Sequence, residues 1–195
     1  GRENAPDAQK LILRLAGFLR GVVNRDKEEV TVREEKEYID NYLAIEKVRF
    51  QDRLAVEWKI DADEDFYQRT VPILVLQPIV ENAVQHGIAK SENGGKVRII
   101  LTEDGQDTKI EVSDNGVGMT PETLKKVMAK GRRASDGKSG IGLSNIHERL
   151  IRMYGPEYGL KIDSEPGRGT TVMVRVPFHG PKSEKEPYGI LSKKN

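Results

Sequence analysis

Three short stretches place chemistry-bearing residues where regular elements end. The first is ENAVQHG, residues 81–87, in which Glu81, Asn82 and His86 interrupt an otherwise apolar run. A carboxylate, an amide and an imidazole withdrawn from water need partners. Asn82 and His86 are four residues apart and share one face of a helix. A carboxamide oxygen is a hard donor suited to Mg2+ held mainly by phosphates. The same residues would equally close a polar core network or a helix end. The second stretch is DNGVGM, residues 114–119. Asp114 at the end of a strand can accept an N–H from a ligand such as an adenine amino group. Gly116 and Gly118 let the backbone approach a ligand or adopt positive φ, although a plain Asx turn has the same composition. The third stretch is GIGLSN, residues 140–145, entering a helix. Glycines there expose backbone N–H groups to phosphate, and the helix dipole favours that charge. Arg132, Arg133 and Lys138 lie just upstream and can add charge-assisted contacts. This is not a Walker A loop, because no GKS or GKT follows. Nor is it a dinucleotide fingerprint, because a loop rather than a strand precedes it.

The elements that must position these stretches follow from periodicity. Residues 8–23 carry Leu11, Leu15, Phe18, Leu19 and Val22 on one helical stripe. Residues 33–50 predict a second amphipathic helix with Tyr38, Tyr42, Ile45 and Phe50 on its apolar side, and Thr31 with Glu34 predicts a capping box at its start. Residues 54–60 alternate as a strand does. Residues 72–86 read as a buried helix closed by Gly87, with Pro78 requiring either a kink or a start near Gln77. Strands are predicted over 97–101 and 109–112, joined by a turn, and over 160–163 and 171–176, joined by the PGRG turn. Residues 121–128 form a short helix capped by Thr120, and residues 143–154 a further helix with Ile146, Leu150 and Ile151 inward. The Gly-, Ser- and Arg-rich stretch 130–142 is a loop, and residues 181–195 are a polar tail. Strands and helices interleave without strict alternation, which favours an α+β layered sandwich over a doubly wound sheet.

Composition narrows the function. The chain has 195 residues, 32 Lys and Arg against 31 Asp and Glu, and no cysteine. A net charge of +1 lacks the field of a general nucleic-acid binder, so no nucleic-acid partner is expected. Without cysteine there is no disulfide scaffold, thiolate metal site or thiol nucleophile. No apolar run reaches the roughly 20 residues of a membrane span. The sequence opens GRENAPD, without a starting Met or a signal-peptide core, and reads as part of a longer protein.

The order ENAxxHG, DNGVGM, GIGL, GTTVMVRVP resembles the GHKL superfamily of ATP-binding domains. More closely, residues 30–178 resemble sensor histidine kinases of the LytS/YesM type, through VTVREEKEYIDNYLAIEKVRF, LQPIVENAVQHGI, DNGVGM, GIGLSNIHERLIRMYG and EPGRGTTVMVRVP. The resemblance implies a Bergerat α/β sandwich, a mixed sheet with helices on one face. It implies that Asn82 binds Mg2+ and phosphate, that His86 lines the nucleotide pocket and that Asp114 hydrogen-bonds the adenine amino group. Gly116 and Gly118, with Met119, would shape the pocket wall. Lys138, Gly140, Ile141, Gly142 and Leu143 would frame the ATP lid, and Thr170 would stand beside the adenine-end aspartate. The cofactors implied are ATP and Mg2+.

Two departures qualify the resemblance. A kinase of this type carries its phosphoacceptor histidine in a motif like PHFLFN, and His86, His147 and His179 lie in no such motif. The acceptor is therefore expected on a helix outside this sequence, with residues 1–50 as the remnant of a dimerisation region, residues 51–180 as the catalytic domain and 181–195 as the tail. ATPases of the superfamily place a water-activating glutamate four residues before the asparagine, and here that position is Pro78. Glu81 is the nearest acid and the candidate catalytic group. The expected activity is transfer of the ATP γ-phosphoryl group to a histidine and then to a response regulator, by a homodimeric parent anchored in the plasma membrane, of which this is a cytoplasmic portion, itself a monomer or weak dimer. A GHKL-type ATPase and a nucleotide-binding interaction module are the alternatives.

Overall fold

The computed structural model describes residues 28–61, 63–129 and 141–178. The expected helix over 8–23, the tail from 181, Lys138, Gly140, Arg132, Arg133 and His179 lie outside the described residues.

The chain enters through a short strand, β1 (Glu29–Thr31), and turns into helix α1 (Val32–Phe50). The capping box is present: Glu34 N donates to Thr31 Oγ1 at 3.1 Å, and Thr31 N donates to Glu34 Oε2 at 2.8 Å. Strand β2 (Leu54–Asp61) follows, then β3 (Thr70–Pro72), which pairs antiparallel with β1. Helix α2 (Gln77–Asn82) continues as a π-helical stretch, Ala83–Ile88. Then come β4 (Gly95–Asp104), β5 (Asp107–Asp114), α3 (Pro121–Ala129), α4 (Ile141–Tyr154), β6 (Lys161–Glu165) and β7 (Gly169–Pro177).

The main sheet has five strands in the order β2-β4-β5-β7-β6. β2 and β4 are parallel and the other pairs are antiparallel. The parallel pair needs a long crossover, which α2 supplies. Period-2 alternation decides the two faces. Val97, Ile99 and Leu101 of β4, Ile110 and Val112 of β5, and Val172, Val174 and Val176 of β7 are buried, and they share one core with residues of α1, α2 and α4. The opposite face carries ion pairs such as Lys96–Glu57 and Lys109–Glu111. This is the mixed α+β sheet with helices on one face that the motifs imply.

Three expectations are corrected. Residues 72–76 are not helical: β3 ends at Pro72, Leu74 takes φ +58°, and the helix begins at Gln77, one residue before Pro78. Proline lacks an N–H and is tolerated in a first helical turn, which settles the choice between kink and start. The buried stripe of α1 is Val32, Glu35, Ile39, Tyr42, Leu43, Glu46 and Phe50, so it contains two carboxylates, while Tyr38 and Ile45 are only half-buried. Helix α1 contributes Val32, Ile39, Tyr42, Leu43 and Phe50 to the same core as the sheet. Helix α4 begins at Ile141, so Gly142 lies in its first turn rather than in the loop.

Candidate functional site

Asp114 closes β5 at the end of the sheet where the inward row turns polar. It stands opposite Thr170 on β7, which stands opposite Ser164 on β6. Asp114 and Thr170 are buried, and the Thr170 hydroxyl lies 2.8 Å from Ser164 Oγ. Gly116 N donates to Asp114 Oδ1 at 2.9 Å. Burial pushes the Asp114 carboxyl up to about 6, against the N–H groups of Gly116 and Thr170, which favour the charged form.

The DNGVG loop is held from two sides. A Cβ on Gly116 would overlap the Gly87 backbone, and one on Gly87 would overlap the Asp114 carboxylate. The loop thus rests on the end of the π-helical stretch with no room for a side chain at either glycine, and Val117 N donates to Gly87 O at 3.3 Å. On its far side Gly167 N donates to Val117 O at 2.8 Å, and Met119 N donates to Ser164 Oγ at 2.9 Å. Gly118 takes φ +63° against the Glu165 carbonyl, a conformation and a space that exclude other residues. A cavity of about 220 Å3 opens beside Asp114 and Thr170, lined also by Ser164, Glu165, Arg168 and Gly169. Asn82 and His86 do not line it.

Asn82 ends α2 and His86 follows in the π-helical stretch; both are half-buried. Four residues are close to one turn in either helix, so the two keep a common face. The wider turn is closed by Ala89 N donating to Val84 O at 2.8 Å, and π-type turns of this kind occur frequently at functional sites. Burial and the nearby Lys90 charge lower the His86 proton affinity, so the imidazole stays neutral near pH 7. The start of α4 sits over the same helix: a Cβ on Gly142 would lie 3.2 Å from Cβ of Pro78, which is one turn before Asn82. Leu143 is buried in the core and Ser144 is fully buried beside it.

Glu81 faces differently. It is exposed, and both partial burial and the charge of Glu46 on α1 raise its proton affinity. Glu46 itself accepts from Gln85 Nε2 at 3.0 Å and from Arg49 Nη1 at 3.4 Å. Glu81 therefore lies near enough to α1 to feel the Glu46 charge.

The fold gathers Asp114, Gly116, Gly118, Met119 and Thr170 at one end of the sheet and packs them against Gly87. Asn82, His86 and Gly142 follow along α2. Ser164 was not apparent from the sequence as a site residue, although its place two residues before the PGRG turn and opposite Thr170 is where a hairpin would present it. Among the described residues no group of three or more His, Asp or Glu side chains forms a metal cluster. Asn82 fits a cation only as one amide donor among ligands supplied mostly by phosphate.

This arrangement is one that known proteins share. A family described as histidine kinase-, DNA gyrase B- and HSP90-like ATPase matches residues 68–180, and the histidine kinase family matches residues 1–54. The chain belongs to the histidine kinase-, DNA gyrase B- and HSP90-like ATPases. Sensor histidine kinases are among the proteins it resembles over most of its length. The sensor histidine kinase BtsS of Escherichia coli strain K12 is 33% identical over 177 residues, 91% of this chain and 29% of that protein. The sensor histidine kinase YesM of Bacillus subtilis is 33% identical over 168 residues, 86% of this chain and 27% of that protein. The chain thus spans less than a third of these relatives. The solved structure of the mycobacterial sensor histidine kinase MprB superimposes with a TM-score of 0.54 at 22% identity, covering 77% of this chain and 97% of that one, and supports the fold. The ATPase family match brings nucleotide use with it.

Proposed function

We propose that this histidine kinase domain holds Mg2+-ATP along α2, with adenine at Asp114 and the phosphates between Asn82 and the first turn of α4. The observation that carries this reading is the buried carboxylate of Asp114, set over Gly87 where any side chain would displace it. Such a group accepts a hydrogen bond from an amino group, and Gly87 and Gly116 let the helix and the loop close together so that the carboxylate is held at the cavity. Thr170 and Ser164 hold the neighbouring rim through their paired hydroxyls. The amide of Asn82 supplies one donor to Mg2+, His86 lines the same face as a neutral imidazole, and the α4 N-terminus with Ile141 and Gly142 directs N–H groups at the phosphates.

Bound Mg2+-ATP supplies the γ-phosphoryl group and neutralises charge as it transfers. The chain's residues position it and exclude water, and the proton of the acceptor imidazole passes to Glu81, whose raised proton affinity suits a base. The acceptor histidine lies on a segment outside these 195 residues, and a response-regulator aspartate receives the group next. A homodimeric parent with a membrane anchor belongs to the same reading; no helix among the described residues is long and apolar enough to cross a membrane.

The test supplies this chain with a peptide helix bearing an acceptor histidine and γ-labelled ATP. Acid-labile label on the peptide, lost when Glu81→Gln or Asp114→Asn replaces the native chain, is the expected result. Phosphate release without peptide labelling would instead make the chain a hydrolytic ATPase, against the absence of an acid at Pro78.

A further inference from the structure

Glu35 is buried at 0% exposure in the apolar stripe of α1, where an acid has no reason to be unless it is used. Its Oε1 accepts from Leu76 N at 2.8 Å and its Oε2 from Leu74 N at 3.1 Å, and the Gln77 N–H also points at it. These are the N–H groups that open helix α2. Leu76, the residue before the helix, provides no side-chain cap, and Pro78 has no N–H to give. Glu35 therefore caps α2 from a different helix. The capped turn is strained, since Leu74 holds φ +58° without being glycine.

A third element meets the same carboxylate. Arg149 of α4 lowers the proton affinity of Glu35 through space, although the two make no direct ion pair. Its Nε and Nη2 are buried and find no hydrogen-bond partner among the described residues. The buried guanidinium acts on Glu35 only through its charge. One acid links α1, the start of the helix that carries Asn82, and the helix whose first turn covers Pro78.

We propose that Glu35 is a positioning residue for the phosphate end of the nucleotide site, fixing α2 and α4 relative to α1 so that movement of α1 changes nucleotide affinity. This rests on the placement of nucleotide along α2 argued above. The test is calorimetric titration of the whole chain with a non-hydrolysable ATP analogue and Mg2+, alongside thermal melting without nucleotide. Glu35→Gln keeps the shape but turns a donor toward N–H groups. It is expected to bind about tenfold more weakly while still folded at the titration temperature, and to speed amide exchange over residues 74–82. Combined with Arg149→Met, the loss of affinity is expected to be non-additive. Where Glu35→Gln does not fold, Glu35→Asp keeps the charge and shortens the link, and is expected to weaken binding likewise. Native affinity in the folded variant, with only the melting temperature lowered, overturns the proposal. Asp114→Asn serves as the control: if it too binds as the native chain does, the placement of nucleotide has failed rather than the role of Glu35.

Discussion

Asp114 and Glu35 are both carboxylates withdrawn from water, and in both burial raises proton affinity, to about 6 and about 7. Their surroundings differ in what fills the oxygens. Glu35 is closed in by the N–H groups of Leu74, Leu76 and Gln77, with Arg149 behind, and no solvent reaches it. Asp114 accepts from Gly116 and Thr170 but keeps 8% exposure and borders a cavity. Equal cost of burial thus serves two ends. Where the donors come from the chain, the acid holds backbone in place; where acceptor capacity is left over, the acid is available to a ligand.

This contrast can be broken most sharply at Glu35. Glu35→Ala leaves the Leu74 and Leu76 amides unpaired and the Arg149 charge uncompensated. It should cost about 3 kcal/mol or more of folding stability, measured by denaturant unfolding. Asp114→Asn should do the reverse: unfolding within about 1 kcal/mol of the native chain, but nucleotide affinity lower by about 10- to 100-fold, as expected for loss of a charge-assisted hydrogen bond. Gly116→Ala forces a methyl into the Gly87 backbone. It should lose about 1–3 kcal/mol of stability and, by shifting the loop that carries Asp114, weaken nucleotide binding as well.

A pH series sharpens the comparison further. Protonating Asp114 removes the better acceptor, so affinity for the ATP analogue should hold above pH 7 and decline as pH falls through about 6. The part of the decline centred near pH 6 should be absent in Asp114→Asn; a native affinity unchanged from pH 7.5 to 5 would contradict it. The smallest effect is expected at Thr31→Ala, which removes a cap remote from the site. About 1 kcal/mol of stability should go, with nucleotide affinity unmoved.

Much of this was legible in the sequence. The strands carrying Val97, Ile99, Val112, Val172 and Val174 alternate cleanly, and Thr31 with Glu34 announces the helix start. Asp114, Asn82 and Gly142 were picked out because polar and glycine residues at element ends demand an explanation. What escaped needed partners distant in sequence. The pairing of β1 with β3 involves three residues on each side, too few for any periodicity to register. Glu35 sits on the 32-35-39-42-46-50 stripe that helical spacing defines, yet its reason, the strained turn at Leu74, is 39 residues away. Only packing reveals that α1 shares the core of the sheet. Ser164 acquires meaning only when β6 lies beside β7 and Met119 reaches it.

The central claim is that Asp114 is the ligand-facing carboxylate of a nucleotide site. Calorimetric titration of the native chain and Asp114→Asn with a non-hydrolysable ATP analogue and Mg2+, at pH 7.5, tests it most directly. Binding by the native chain that falls at least about tenfold in a variant with an unchanged unfolding transition is the predicted result. Equal binding by the two chains would contradict it.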